Sequence, residues 1–170
     1  TEYDVVSTLR KLGHDVQALG VKSDLEVIRA AVEDWKPHIA FNLLEEFDGV
    51  AVYDQNVVSY LELMRIPYTG CNPRGLMLAR DKALAKQVMS YHRIPYPEFM
   101  VVPLHRMVRR PKYLPFPLIV KSITEEASLG ISQASIVDDD EKLRERVAFI
   151  HDNVGTGALV ERYIEGRELY

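Results

Sequence analysis

The chain has one cysteine, Cys71, in 170 residues. No intrachain disulfide can form, which fits a reducing compartment, and the default role of a lone cysteine is a small apolar packing residue. No apolar run approaches the roughly 18 residues that a membrane-spanning helix needs, and no leader pattern is visible. A basic surplus is also missing, since 21 Lys and Arg face 25 Asp and Glu, for a net charge of −4. That argues against a nucleic-acid binder, which would carry a basic stripe. The one basic cluster, His105, Arg106, Arg109, Arg110 and Lys112, reads as a solvated loop. Together these absences predict no nucleic-acid partner, no membrane segment and a cytoplasmic setting.

Several reaction chemistries lack their motifs. There is no G-x-x-x-x-G-K-[ST] phosphate loop. Gly155-Thr-Gly157 lacks the third glycine of a dinucleotide loop and precedes a strand pattern instead of following one. His14, His38, His92, His105 and His151 are scattered without zinc spacing, and no G-x-S-x-G elbow is present. Internal repeats and low-complexity tracts are absent too.

What is there is a chain able to build a core: 47% of it is hydrophobic and 27% charged, the balance of an ordered globular protein. Val5, Val6, Leu9 and Leu12 share one helical face, and Gly13 ends that helix. Residues 15–19 alternate like a strand. Ser23 and Glu26 have capping-box spacing ahead of a second helix, which Pro37 closes. Residues 38–44 form an apolar run of the kind found in buried parallel strands, and a helix near 53–64 leads to a short strand at 66–68. Alternating helices and strands imply parallel strands with crossover helices. Such a unit opens with a strand, so the pattern predicts a chain that has lost its first strand.

From 74 to 92 the pattern is helical. Beyond it, 99–102, 118–121, 132–137 and 158–161 read as strands joined by one helix over about 139–152, opened by Asp138, Asp139 and Asp140. The expected fold class is therefore α/β followed by α+β, with domains at 1–75 and 76–170.

Three places could carry chemistry. Lys121 ends the apolar strand Pro117-Leu-Ile-Val-Lys121, and residues 122–130 follow as a polar loop ending in Gly130. Backbone N–H groups of such a loop can cover phosphates while the lysine adds a point charge; an ordinary hairpin connection beside a solvated lysine gives the same pattern. Lys82 follows Asp81, which can cap the helix starting there, and a solvated helix terminus reads alike. In Leu159-Val-Glu161-Arg-Tyr-Ile164-Glu-Gly-Arg-Glu168, Glu161 could accept from an adenine amino group, Ile164 could offer backbone and an apolar wall, and Glu168 could accept from ribose hydroxyls. A strand with exposed acids is the plain alternative.

In order and spacing, Leu61-Glu-Leu-Met-Arg-Ile-Pro-Tyr-Thr-Gly70, Ala79-Arg-Asp-Lys82, Phe116-Pro-Leu-Ile-Val-Lys121 and Leu159 to Glu168 resemble D-alanine–D-alanine ligase and its ATP-grasp relatives. The likeness runs over most of residues 40–170. It implies a Rossmann-like pre-ATP-grasp domain followed by the small ATP-grasp subdomain, with the C-terminal metal-binding part lying beyond Tyr170. It also implies ATP and Mg2+ as cofactors, amino-acid substrates and a cytoplasmic ligase working through an acyl phosphate, and it allows a homodimer. Lys82 and Lys121 match the phosphate-holding lysines, Ser128 and Gly130 the phosphate-covering loop, Glu161 and Ile164 the adenine contacts, and Glu168 the ribose contact.

Two stretches depart from the family pattern. The loop E-G-S-S-x-G reads Glu125-Glu-Ala-Ser-Leu-Gly130, placing Ala127 where a substrate-side serine is expected. The H-G-x-x-G-E-D-G pattern is replaced by Asn42-Leu-Leu-Glu45-Glu46-Phe-Asp-Gly49. Glu45 and Glu46 follow an expected parallel strand, at the edge where α/β sheets bind ligands, and are candidates for a substrate amine; acidic loop residues in water are the alternative. D-alanyl-D-alanine is the leading product. A ligase for another amino acid or peptide, or a non-catalytic nucleotide-binding module, are the alternatives, and the chain alone is expected to be inactive.

Overall fold

The computed structural model describes residues 2–124 and 132–167. The chain divides into two compact units, Thr1–Met77 and Leu78–Tyr170.

The first unit contains α1 (Glu2–Lys11), α2 (Glu26–Trp35), α3 (Asp54–Leu63) and the start of α4 (Pro73–Arg80). Acidic residues open α1 and basic ones close it, in line with the helix dipole, and Gly13 follows at φ 87°. The cap of α2 differs from expectation. Asp24 Oδ1, not a Ser23–Glu26 box, accepts from the Glu26 N–H at 2.8 Å. Lys36 then ends α2 in the left-handed region, at φ 52°. Ile28, Val57 and Leu61 form the buried centre, with Val32, Leu44 and Ile66 packed around them.

The strands expected in this unit shrink to one parallel bridge, Ala40 with Tyr68. Ala40 donates to Pro67 O at 2.8 Å and accepts from Thr69 N–H at 3.0 Å. The ladder stops there because side chains take its next donors. The Asn42 N–H goes to Thr69 Oγ1 at 3.0 Å, and the Leu44 N–H goes to Asn42 Oδ1 at 3.1 Å. Residues 15–19 form no strand; apart from Val16 they are exposed, and alternation without a partner strand leaves backbone groups to water.

The helical stretch expected over 74–92 is two helices, α4 and α5 (Lys82–Tyr91), the second starting after Asp81, the expected cap. Asp81 separates them. Its φ/ψ of −85°/92° is extended, and its carboxylate accepts from the Ala83 and Leu84 N–H groups at 3.0 and 2.9 Å.

The strands are β1 (Phe99–Val102), β2 (Leu118–Ser122), β3 (Ile136–Val137) and β4 (Ala158–Arg162), all antiparallel in the order β1-β4-β2-β3. A full strand over 132–137 does not form. Ser132 and Ser135 exchange side-chain and backbone hydrogen bonds around a 3-10 turn at Gln133–Ser135, leaving two residues for β3. Helix α6 (Asp140–Phe149) is capped by Asp139 and continues as a π turn through Val154, closed by Gly155 at φ 75°.

One sheet face and α6 make the core: Val102, Leu118, Val120, Val137, Leu143, Val147, Ile150, Ala158 and Val160 are buried together. Even-numbered residues of β2 thus point into the core, so the odd ones, Ile119 and Lys121, leave by the opposite face.

Candidate functional site

The face opposite the core carries a charged cluster. Lys121 pairs in register with Leu159, and Ile119 pairs with Glu161. Lys121 and Glu161 are therefore diagonal neighbours on one face, within reach of long side chains. The Lys121 ammonium donates to Glu161 Oε1. A second ammonium, that of Lys86 on α5, lies 2.8 Å from Glu161 Oε2. This contact is an ion pair, since Oε2 is buried without a hydrogen bond of directional geometry. Lys86 also stands 5.9 Å from the Phe99 ring centroid, on the edge of cation–π range.

Glu161 is a buried polar residue, 5% exposed. Burial alone would raise its carboxyl, but the hydrogen bond from Lys121 and the positive charges of Lys121 and Lys86 outweigh burial and hold it below the ordinary carboxylate range. It is therefore ionised at neutral pH, one anion between two cations.

Lys82 reaches the same end of β2. Its Nζ donates to Ile123 O at 3.4 Å, and its backbone N–H reaches the same carbonyl at 3.4 Å. Ile123 in turn donates to Gly157 O at 3.2 Å. A Cβ on Gly157 would meet Ile123 Cδ1 at 2.7 Å and Val102 O at 3.3 Å, so a side chain here would have to push the Ile123 side chain aside. Beside it, the Ser122 and Thr156 hydroxyls are 2.8 Å apart. The structure thus gathers Lys82, Lys121 and Glu161, from helix start, strand and neighbouring strand, around the last residues of β2.

Ile164 follows β4 in a segment without regular structure and is 60% exposed, an apolar side chain offered to solvent. Ser128, Gly130 and Glu168 lie outside the described residues. Glu45 and Glu46 are exposed in the first unit, in the loop after the Ala40 bridge. In the basic cluster, Arg110 is tied down: it pairs with Asp140 at 2.8 Å, donates to Leu114 O at 2.9 Å and stacks 4.3 Å over Phe116.

Lys86 is the member that the sequence did not single out. The available signal was its spacing, four residues after Lys82 and hence on the same helical face.

Lysines around a strand end can hold phosphate oxygens as point charges, and a buried ionised carboxylate can accept from an amino group. Among the described residues no group of three or more His, Cys, Asp or Glu could hold a metal ion.

No family model matches the chain. It is 32% identical over 165 residues to a D-alanine–D-alanine ligase of Acidiphilium cryptum, covering 97% of this chain and 52% of the relative. In fold it is similar to a D-alanine–D-alanine ligase of Bacillus anthracis, with TM-score 0.80, 23% identity, and coverage of 96% of this chain and 51% of the other. A structure of that ligase complexed with ATP matches with TM-score 0.65 and 25% identity, over 81% of this chain and 45% of the other. The chain spans about half the length of the curated relatives it matches.

Proposed function

Starting from a chain that is D-alanine–D-alanine ligase-like in sequence and ATP-grasp-like in fold, we propose that it forms the nucleotide-holding front part of an ATP-dependent carboxylate–amine ligase. The observation that carries this is the convergence of Lys82, Lys121 and Glu161 at the end of β2. Two cations there can meet phosphate charge, while one acceptor is held ionised.

In this proposal Lys82 and Lys121 hold phosphate oxygens of ATP. Glu161 accepts from the adenine amino group, the Ile164 backbone and side chain border the base, and Glu168 accepts from the ribose hydroxyls. Ser128 and Gly130 belong to a loop that covers the phosphates and excludes water. Glu45 and Glu46 are assigned to a substrate ammonium.

The reaction has two steps. A substrate carboxylate oxygen attacks the γ-phosphorus and ADP leaves, giving an acyl phosphate. An amine then attacks the acyl carbon, inorganic phosphate leaves, and the nitrogen loses a proton as the amide forms. The residues of this chain bind and orient the nucleotide through the first step. Magnesium belongs to the family chemistry, but the described residues do not fit a metal site. D-alanine is the leading substrate, and a cytoplasmic setting goes with ATP as the energy source.

The test is ADP release by the full-length protein from ATP and magnesium against a panel of D- and L-amino acids, with Lys121→Ala as control. We expect one amino acid to stimulate release, and the control not to respond. ATP binding without stimulation by any of them would overturn the ligase assignment in favour of a nucleotide-binding module.

A further inference from the structure

Lys86 lies outside the residues assigned to the nucleotide above, yet it is half of the charge balance around Glu161. One carboxylate, 5% exposed, faces two ammonium groups. The two are not equivalent. The Lys86 side chain is 13% exposed and that of Lys121 28%. Lys86 rises from α5, whose start is fixed by the Asp81 cap, and it stands against the Phe99 ring. Lys121 lies one residue from the end of β2, the more accessible of the two.

A cation engaged by Glu161 cannot at the same time give its full charge to a phosphate. If Lys121 is to serve a nucleotide, it must loosen its bond to Oε1. A buried carboxylate left without a counter-ion is costly, and Lys86 is placed to prevent that.

We propose that Lys86 is a positioning residue, the standing counter-ion of Glu161 whose presence frees Lys121 to leave the carboxylate for a nucleotide phosphate. This rests on the nucleotide-holding role given above. With Lys86 in place, departure of Lys121 leaves a neutral Lys86–Glu161 pair. Without it, Lys121 is kept at Glu161, and phosphate binding has to work against a buried, unpaired charge. Adenosine has no phosphate and makes no such demand, so it separates this role from a structural one.

The experiment is calorimetric binding of MgATP and of adenosine to the full-length protein and its Lys86→Met and Lys86→Arg variants, with melting curves for each. For Lys86→Met we expect MgATP affinity to fall about ten-fold or more, with adenosine affinity changed less than about two-fold. Lys86→Arg, which keeps the charge, should recover most of the loss. In a Glu161→Gln background Lys86→Met should no longer alter the MgATP-to-adenosine ratio, because the carboxylate it balances is gone. Equal loss of both ligands, or unchanged MgATP binding, overturns the proposal. If Lys86→Met does not fold, the same ratio is read on Lys86→Gln. Failure of the unsubstituted protein to bind either ligand overturns the nucleotide-holding role itself, a result distinct from a failed ratio.

Discussion

Lys121 and Glu161 stand diagonally across the antiparallel β2–β4 pair, Lys121 opposite Leu159 and Glu161 opposite Ile119, and their side chains meet on the sheet face away from the core. Sheet periodicity produces this meeting. Residues 118 and 120 must point inward to be buried, so 119 and 121 cannot. Lys86 then completes a three-membered charge cluster from α5.

The two lysines are predicted to be mutually replaceable for stability. Lys86→Met or Lys121→Met alone leaves one ammonium on Glu161 and should cost about 1 kcal/mol. The double substitution strands a buried carboxylate and should cost about 3 kcal/mol or more. A double-mutant cycle from denaturant unfolding checks this. Simple additivity would show that the two cations do not share the carboxylate.

Acid sensitivity follows from the same cluster. The Glu161 carboxyl lies below its ordinary range in the folded protein, because Lys121 and Lys86 outweigh the effect of burial. A depressed folded value means that the unfolded state binds the proton more readily. The contribution is therefore complete above the unfolded carboxylate range and is lost as pH falls through the folded value. Stability measured from about pH 7 to about pH 3 should show the advantage over Glu161→Gln shrinking in the acid limb. A gap independent of pH would contradict this.

The start of α5 depends on Asp81, which receives the N–H groups of Ala83 and Leu84. Asp81→Ala should cost about 1 kcal/mol and Asp81→Asn much less, since Asn also caps. Melting curves decide the matter, and equal losses would show that the cap's charge, not its hydrogen bonds, is what counts.

Much of the second unit was legible in the sequence. Strands 99–102, 118–121 and 158–161 appear within one residue of expectation, because apolar runs bounded by proline, glycine and polar residues leave few alternatives. The segment at 132–137 failed because two serines satisfy each other's backbone locally, a competition that hydrophobic pattern does not register. The first unit was less legible for the same reason. Thr69 and Asn42 take the backbone donors that would have extended a parallel ladder. At the site, Lys121 and Glu161 were each visible as residues at strand positions. Their meeting depends on register, which pairs Lys121 with Leu159 and is not written in either segment alone. Lys86 was passed over because, despite its spacing from Lys82, a lysine on an amphipathic helix looks solvated until the partner strand is placed.

The most direct measurement is MgATP binding by the full-length protein beside Lys121→Ala. We predict binding by the unsubstituted protein, a loss of at least about ten-fold in the variant, and a melting temperature lowered by only a few degrees because Lys86 still neutralises Glu161. Equal affinity in the two proteins would contradict the assignment of this cluster to a nucleotide.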